Sequence, residues 1–232
     1  MKKIVISAAV LFLACQATIT AQNASAHDLH SAIDTISYCI GVSVGNSLGS
    51  LPVKDVRADL VCQGMMDLVE KKTAFFTNAE AEALLREYML ALREKESKDN
   101  LQAANDFLAA NGKNEGVVSL PSGLQYKVIT PGAGESPIAT DNVTVNYKGT
   151  LIDGTVFDSS YDRNEPATFP LNKVIKGWTE GVQLMKPGAK YQFFIPPQLG
   201  YGENPPQGSP IKVNDVLIFE VELLSVQKQE TK

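Results

Sequence analysis

Val143-Thr-Val-Asn-Tyr147-Lys-Gly149 is followed by Asp153-Gly154 and then Thr155-Val-Phe157-Asp158. In the first run Val143, Val145 and Tyr147 alternate with Thr144, Asn146 and Lys148, the period-two pattern of a strand with one buried face. Asp153-Gly154 between two strand-like runs predicts a hairpin turn. The same alternation returns near the C-terminus, where Leu217, Phe219, Val221 and Leu223 interleave with Ile218, Glu220 and Glu222. Further strands are expected at Leu124–Ile129, Thr155–Asp158 and Lys190–Ile195. A short helix is expected around Lys176–Leu184, ahead of the Lys186-Pro-Gly188 turn. An antiparallel sheet wrapped around one helix is an α+β arrangement.

Upstream the period is helical. Ile33, Ile36, Ile40, Val44 and Leu48 recur at three- and four-residue spacing. Ser37, Gly41 and Gly45 form a second, small-residue line that would let another backbone approach closely. Each glycine costs roughly 1 kcal/mol of helix propensity relative to Ala, so close packing is expected to compensate. A second helix is expected from Asp55 to Val69. Thr77-Asn-Ala-Glu80 reads as a capping box that starts a third, long helix over 78–111, stopped by Asn111-Gly112. Its middle, Arg93 to Asn100, is charged all round, which predicts a stretch bridging domains through water. Three helices make a thin core for an independent unit. Residues 27–116 are therefore expected to pair with a second copy, as a homodimer.

The chain of 232 residues carries a net charge of −5 and no run of basic residues, which argues against nucleic-acid binding. Lys2 and Lys3, an apolar run from Ile4 to Ala14 and Ala24-Ser-Ala26 together read as an export signal over residues 1–26. Eleven apolar residues are about half of the ~20 that a membrane helix needs. Cys15, in a loose lipobox, is the one route to membrane attachment. The expected location is periplasmic or outer-membrane associated. Cys39 and Cys62 are left as two buried thiols or as one disulfide between helices.

Residues 117–232 contain no His and no Cys. This excludes a His-assisted nucleophile and a zinc site there, and no metal or cofactor is expected. Gly132-Ala-Gly134 leads into Glu-Ser-Pro137 rather than a helix, so it is a turn and not a nucleotide loop. What remains is a concentration of aromatic residues, among them Tyr147, Phe157, Phe169, Trp178, Tyr201 and Phe219. Tyr191, Phe193 and Phe194 are expected in the core. Trp178 stands between Gly177 and Gly181, which would let its helix lie flat and present the indole as a floor.

These stretches resemble FKBP-type prolyl isomerases. The resemblance rests on Val145-Asn-Tyr147-Lys-Gly149, Gly154-Thr-Val-Phe157-Asp158, Val174-Ile175-Lys-Gly-Trp178, Leu199-Gly-Tyr201-Gly202 and Leu217-Ile-Phe219-Glu-Val-Glu-Leu223. Tyr38-Cys-Ile-Gly41-Val-Ser-Val-Gly45 and Leu120-Pro-Ser-Gly-Leu-Gln-Tyr126 look like the bacterial periplasmic branch, of the macrophage infectivity potentiator and FkpA type. That resemblance implies an N-terminal helical dimerisation domain (27–116), a long connecting helix, and an FKBP-like isomerase domain (117–232).

The family's site, carried over by motif, implies catalytic Tyr147, Asp158, Trp178, Tyr201 and Phe219. Substrate would be bound by Phe157, Val174, Ile175, Ile211 and Arg163. Trp178 would be the floor beneath the proline ring. The Ile175 N–H and the Tyr201 hydroxyl would donate to substrate carbonyls. Asp158, held by Tyr147 and Arg163, would face the twisting imide. Ala167 stands where small eukaryotic members carry an aromatic, and the stretch between Tyr201 and Ile211 differs in length, so preference around the proline is expected to differ. The implied partners are unfolded, proline-containing exported proteins. The alternative is mainly a client-binding chaperone with incidental isomerase activity.

Overall fold

A computed structural model describes residues 29–228, and the signal-peptide and Cys15 readings lie outside them. The chain divides into two compact units, with the boundary after Ala58.

The first unit contains α1 (Ala32–Gly49). Ser31 caps it reciprocally with Asp34. The Asp34 N–H donates to Ser31 Oγ at 3.1 Å, and the Ser31 N–H donates to Asp34 Oδ2 at 2.8 Å. No residue of α1 is buried, and its isoleucines Ile33, Ile36 and Ile40 are all exposed.

The boundary falls at the first residue of α2 (Ala58–Val69), and α3 (Asn78–Asn111) follows in the second unit. The α2 start lies three residues after the expected one, because Asp55 takes a left-handed backbone (φ 58°) that interrupts a helix. The Thr77–Glu80 capping box is present as expected, with the Glu80 N–H donating to Thr77 Oγ1 at 3.3 Å and the Thr77 N–H to Glu80 Oε2 at 2.8 Å. Cys39 and Cys62 are each free and exposed, which corrects the expectation of buried or bonded thiols. The cause is that neither α1 nor α2 buries any residue.

Among the described residues seven strands form one antiparallel sheet, in the order β1-β2-β6-β7-β3-β4, with β5 also pairing β3. They are β1 (Val117–Ser119), β2 (Gln125–Thr130), β3 (Asn142–Thr150), β4 (Val156–Ser159), β5 (Ala167–Pro170), β6 (Lys190–Ile195) and β7 (Leu217–Gln227). The strands β3 and β7 pair with Val145 opposite Leu223 and Tyr147 opposite Val221. The alternating residues of both strands point into one core, and Val143, Val145, Val221 and Leu223 are fully buried there. The short β1 and β5 were not anticipated.

The helix α4 (Lys176–Val182) lies on this core. A Cβ on Gly177 would come within 2.5 Å of Ile195, and one on Gly181 within 2.7 Å of Phe193. Real Cβ atoms do not approach so closely, so both positions must lack a side chain for the helix to sit against β6. That is how the sequence brings Trp178 down onto the sheet.

The second half of α3 also belongs to this packing. Ala104 is buried, Phe107 meets Phe194 with ring centroids 6.1 Å apart, and buried Asn111 donates to Gln125 Oε1 at 2.9 Å. The expected water-bridged middle is not what forms. Arg93 and Asn100 donate directly to backbone carbonyls of the segment after Tyr201.

Candidate active site

Trp178 is 4% exposed and anchors an aromatic cluster. Tyr147 and Phe219 meet it edge-on, at centroid distances of 5.2 and 5.1 Å, and Phe169 meets it at 5.4 Å. Edge-to-face contacts of this kind set positive ring edges against a negative π-face and fix orientation as well as burying area. Four different elements supply these rings: β3, β5, α4 and β7. The indole Nε1 is buried without a hydrogen-bond partner among the described residues, so packing rather than a hydrogen bond holds the ring.

Above this floor opens a cleft of about 430 Å³ lined by Tyr147, Asp158, Phe169, Lys173, Val174, Ile175, Trp178, Tyr201 and Phe219. Its single carboxylate is fully engaged. The Tyr147 hydroxyl donates to Asp158 Oδ2 at 2.6 Å, and Arg163 donates to Asp158 Oδ1 at 2.6 Å and to the Tyr147 oxygen at 2.8 Å. The guanidinium also lies 5.6 Å from the Tyr147 ring centroid. Burial opposes ionisation of Asp158, but the hydrogen bonds from Tyr147 and Arg163 outweigh it and lower its pKa. Burial raises the Tyr147 pKa, and the bond to Asp158 adds to it, so Tyr147 keeps its proton as a donor. Burial and the nearby Asp158 charge raise Tyr201 as well. The result is an apolar cleft with one carboxylate whose charge is already compensated.

Seven of the ten expected residues line this cleft: Tyr147, Asp158, Val174, Ile175, Trp178, Tyr201 and Phe219. Arg163 acts one step back, through Asp158. Phe157 packs edge-on against Phe219 at 5.3 Å, and Ile211 is buried in the core cluster beside the cleft, so neither is among its lining residues. Phe169, noted in the sequence only as one of the aromatics, and Lys173 were not assigned to the site. The available signal was Phe169 two residues beyond Ala167, in a strand of only four residues.

Two family models cover almost all of the described chain. One, described as FKBP-type peptidyl-prolyl cis-trans isomerase, matches residues 134–224, and the other, the domain amino terminal to it, matches residues 33–128. The FKBP-type peptidyl-prolyl cis-trans isomerase FkpA of Aeromonas hydrophila is 46% identical over 204 residues, 82% of this chain and 75% of that protein. The chain belongs to the FKBP-type peptidyl-prolyl cis-trans isomerases. The peptidyl-prolyl cis-trans isomerase Mip of Coxiella burnetii is 42% identical over 88% of this chain and 91% of its own length. The crystal structure of FkpA from Escherichia coli superposes with a TM-score of 0.69 at 36% identity, covering 86% of this chain and 98% of that one. The expected fold class and enzyme class both hold. A similar protein of Legionella longbeachae, 38% identical over 98% of this chain, is named an outer membrane protein. No helix among the described residues is long and apolar enough to cross a membrane.

Proposed function

We propose that this isomerase accelerates X-Pro rotation in exported polypeptides during folding, with the Trp178 cleft as the site of catalysis. The carrying observation is an apolar, aromatic-floored cleft whose only carboxylate is pinned by Tyr147 and Arg163.

Rotation about an X-Pro bond faces a barrier of ~18–20 kcal/mol because the amide loses resonance as it twists. The twisted imide carries less charge on oxygen, so a water-poor, charge-compensated cleft holds it better than water does. Trp178 supports the proline ring. The Ile175 N–H and the Tyr201 hydroxyl donate to the flanking carbonyls, and Asp158 faces the imide. No nucleophile is required. Each tenfold of rate needs only about 1.4 kcal/mol, within the reach of one good contact.

Trp178→Ala and Asp158→Ala should each lower turnover of a short X-Pro peptide by about tenfold or more, the loss of one such contact. Circular dichroism should show the fold retained. Wild-type rates in both variants would refute the assignment.

Residues 27–116 form the second part of this reading, as the element that pairs two copies. Ile33, Ile36 and Ile40 on α1, and Leu84, Leu85 and Tyr88 on α3, support it by exposing apolar surface within the chain. The same surface favours a second role in holding unfolded clients as a chaperone. Suppression of client aggregation that persists in Trp178→Ala would separate that role from isomerisation.

A further inference from the structure

Between Tyr201 and Asp215 the chain runs without a strand or helix. Pro205, Pro206 and Pro210 have no N–H to offer a ladder. Yet this segment carries Tyr201 at the cleft and Ile211 in the core cluster that contains Trp178 and Phe219. Its two ends are tied to each other by one bond, from the Asn214 N–H to the Gly202 carbonyl at 2.8 Å.

Ile211 and Val213 are buried, and the side-chain hydrogen bonds and the ion pair that reach the ends from outside the segment come from α3. Arg93 Nη2 donates to the Glu203 carbonyl at 2.9 Å, and Asn100 Nδ2 donates to the Val213 carbonyl at 2.8 Å. Between them Asn214 Nδ2 donates to Ser97 Oγ at 2.8 Å and to the Ser97 carbonyl at 3.2 Å. Lys212 pairs with Glu96 at 3.2 Å. Arg93, Glu96, Ser97 and Asn100 are spaced by three, four and seven, so they share one face of the helix. Asn214 is the centre of the arrangement. It is 7% exposed and takes a left-handed backbone (φ 57°), with its N–H on Gly202 next to Tyr201 and its side chain on Ser97.

We infer that the Arg93–Asn100 face of α3 is a positioning element of the active site, which sets the rim segment of Tyr201 and Ile211 through Asn214. The inference rests on the cleft assignment made above and adds to it a set of residues that never touch substrate. In this reading the Tyr201 hydroxyl serves substrate binding in the planar and twisted states alike. A loosened rim therefore weakens binding of both, which raises KM and spares kcat.

The test uses the full chain. Asn214→Gly keeps the left-handed backbone and the N–H to Gly202 while deleting only the amide that reaches Ser97. Asn100→Ala removes the second grip. The double variant should raise KM for a short X-Pro peptide by about fivefold or more with kcat within about twofold, and each single variant should fall between. Ser97→Ala should shift KM in the same direction, and Ser97→Thr, which keeps the hydroxyl, should restore it. Lys98→Ala removes an exposed side chain of the same turns whose partner is Glu94, and it should leave both constants unchanged. A KM within about twofold of wild type in the double variant overturns the inference, as does a fall in kcat alone. Trp178→Ala measured alongside keeps the two readings apart. Wild-type turnover there sinks the cleft itself, whereas a lost turnover with an unmoved KM in the double variant sinks only the role of α3.

Discussion

Two helices of this chain carry glycines four residues apart, and their surroundings are opposite. In α4 the Gly177 and Gly181 positions are pressed against Ile195 and Phe193. In α1 a Cβ at Gly41 or Gly45 would meet nothing within 4 Å. The isomerase core supplies its own partners from β3, β6 and β7. On α1 the apolar side chains Ile33, Ile36 and Ile40 are exposed. The lesson is that one pattern, small residues at helical spacing, marks close packing only where a surface is pressed against it.

The contrast can be broken most sharply at Phe193, which is fully buried. Phe193→Ala should cost about 3–5 kcal/mol, because the transfer energy and the cavity both count against it. Urea unfolding followed by circular dichroism reads this, and an unchanged midpoint would mean that the core is not organised as described.

On α1 the expected outcome has a different character. Ile36→Asp with Ile40→Asp should leave short-peptide turnover within about twofold, while removing apolar contacts each worth about 1.5–3 kcal/mol in a paired state. Sedimentation should then report a single-chain mass where the wild type sediments at twice that mass. A variant still at twice the mass would overturn the pairing through 27–116.

The smallest effect concerns pH, and it sharpens the account of the cleft. The lowered Asp158 keeps its carboxylate ionised, and its contribution to stability is present above the unfolded value of about 3.9 and lost as pH falls through the lower folded value. The raised Tyr147 keeps its proton, with a contribution present below the unfolded value of about 10 and lost as pH rises through the higher folded one. Isomerase activity should therefore be flat between about pH 5 and pH 9. A titration midpoint inside that window would contradict the Tyr147–Asp158–Arg163 arrangement.

Much of this fold could be read from period alone. β3 and β7 alternate over their full inward faces, and the long helix begins at a capping box visible in four residues. The aromatic floor was legible because Trp178, the one tryptophan, stands between two glycines that would let its helix lie flat. Other parts left no local trace. β5 is four residues ending in Pro170, too short to show a period, and the place of Phe169 in the site was lost with it. The grip of Arg93 and Asn100 is on backbone carbonyls more than a hundred residues away, so their stripe is indistinguishable in sequence from a solvated one. Burial of Cys39 and Cys62 was inferred from helical patterning, but an amphipathic helix buries its apolar face only where something covers it.

Trp178 is the sole tryptophan in the chain. Light absorbed by indole at the red edge of the near ultraviolet is thus emitted from one place, the bottom of the cleft. A peptide that settles on that ring displaces whatever solvent stands above it, and the emission spectrum of the whole native protein changes as a direct count of occupied sites, with no label attached.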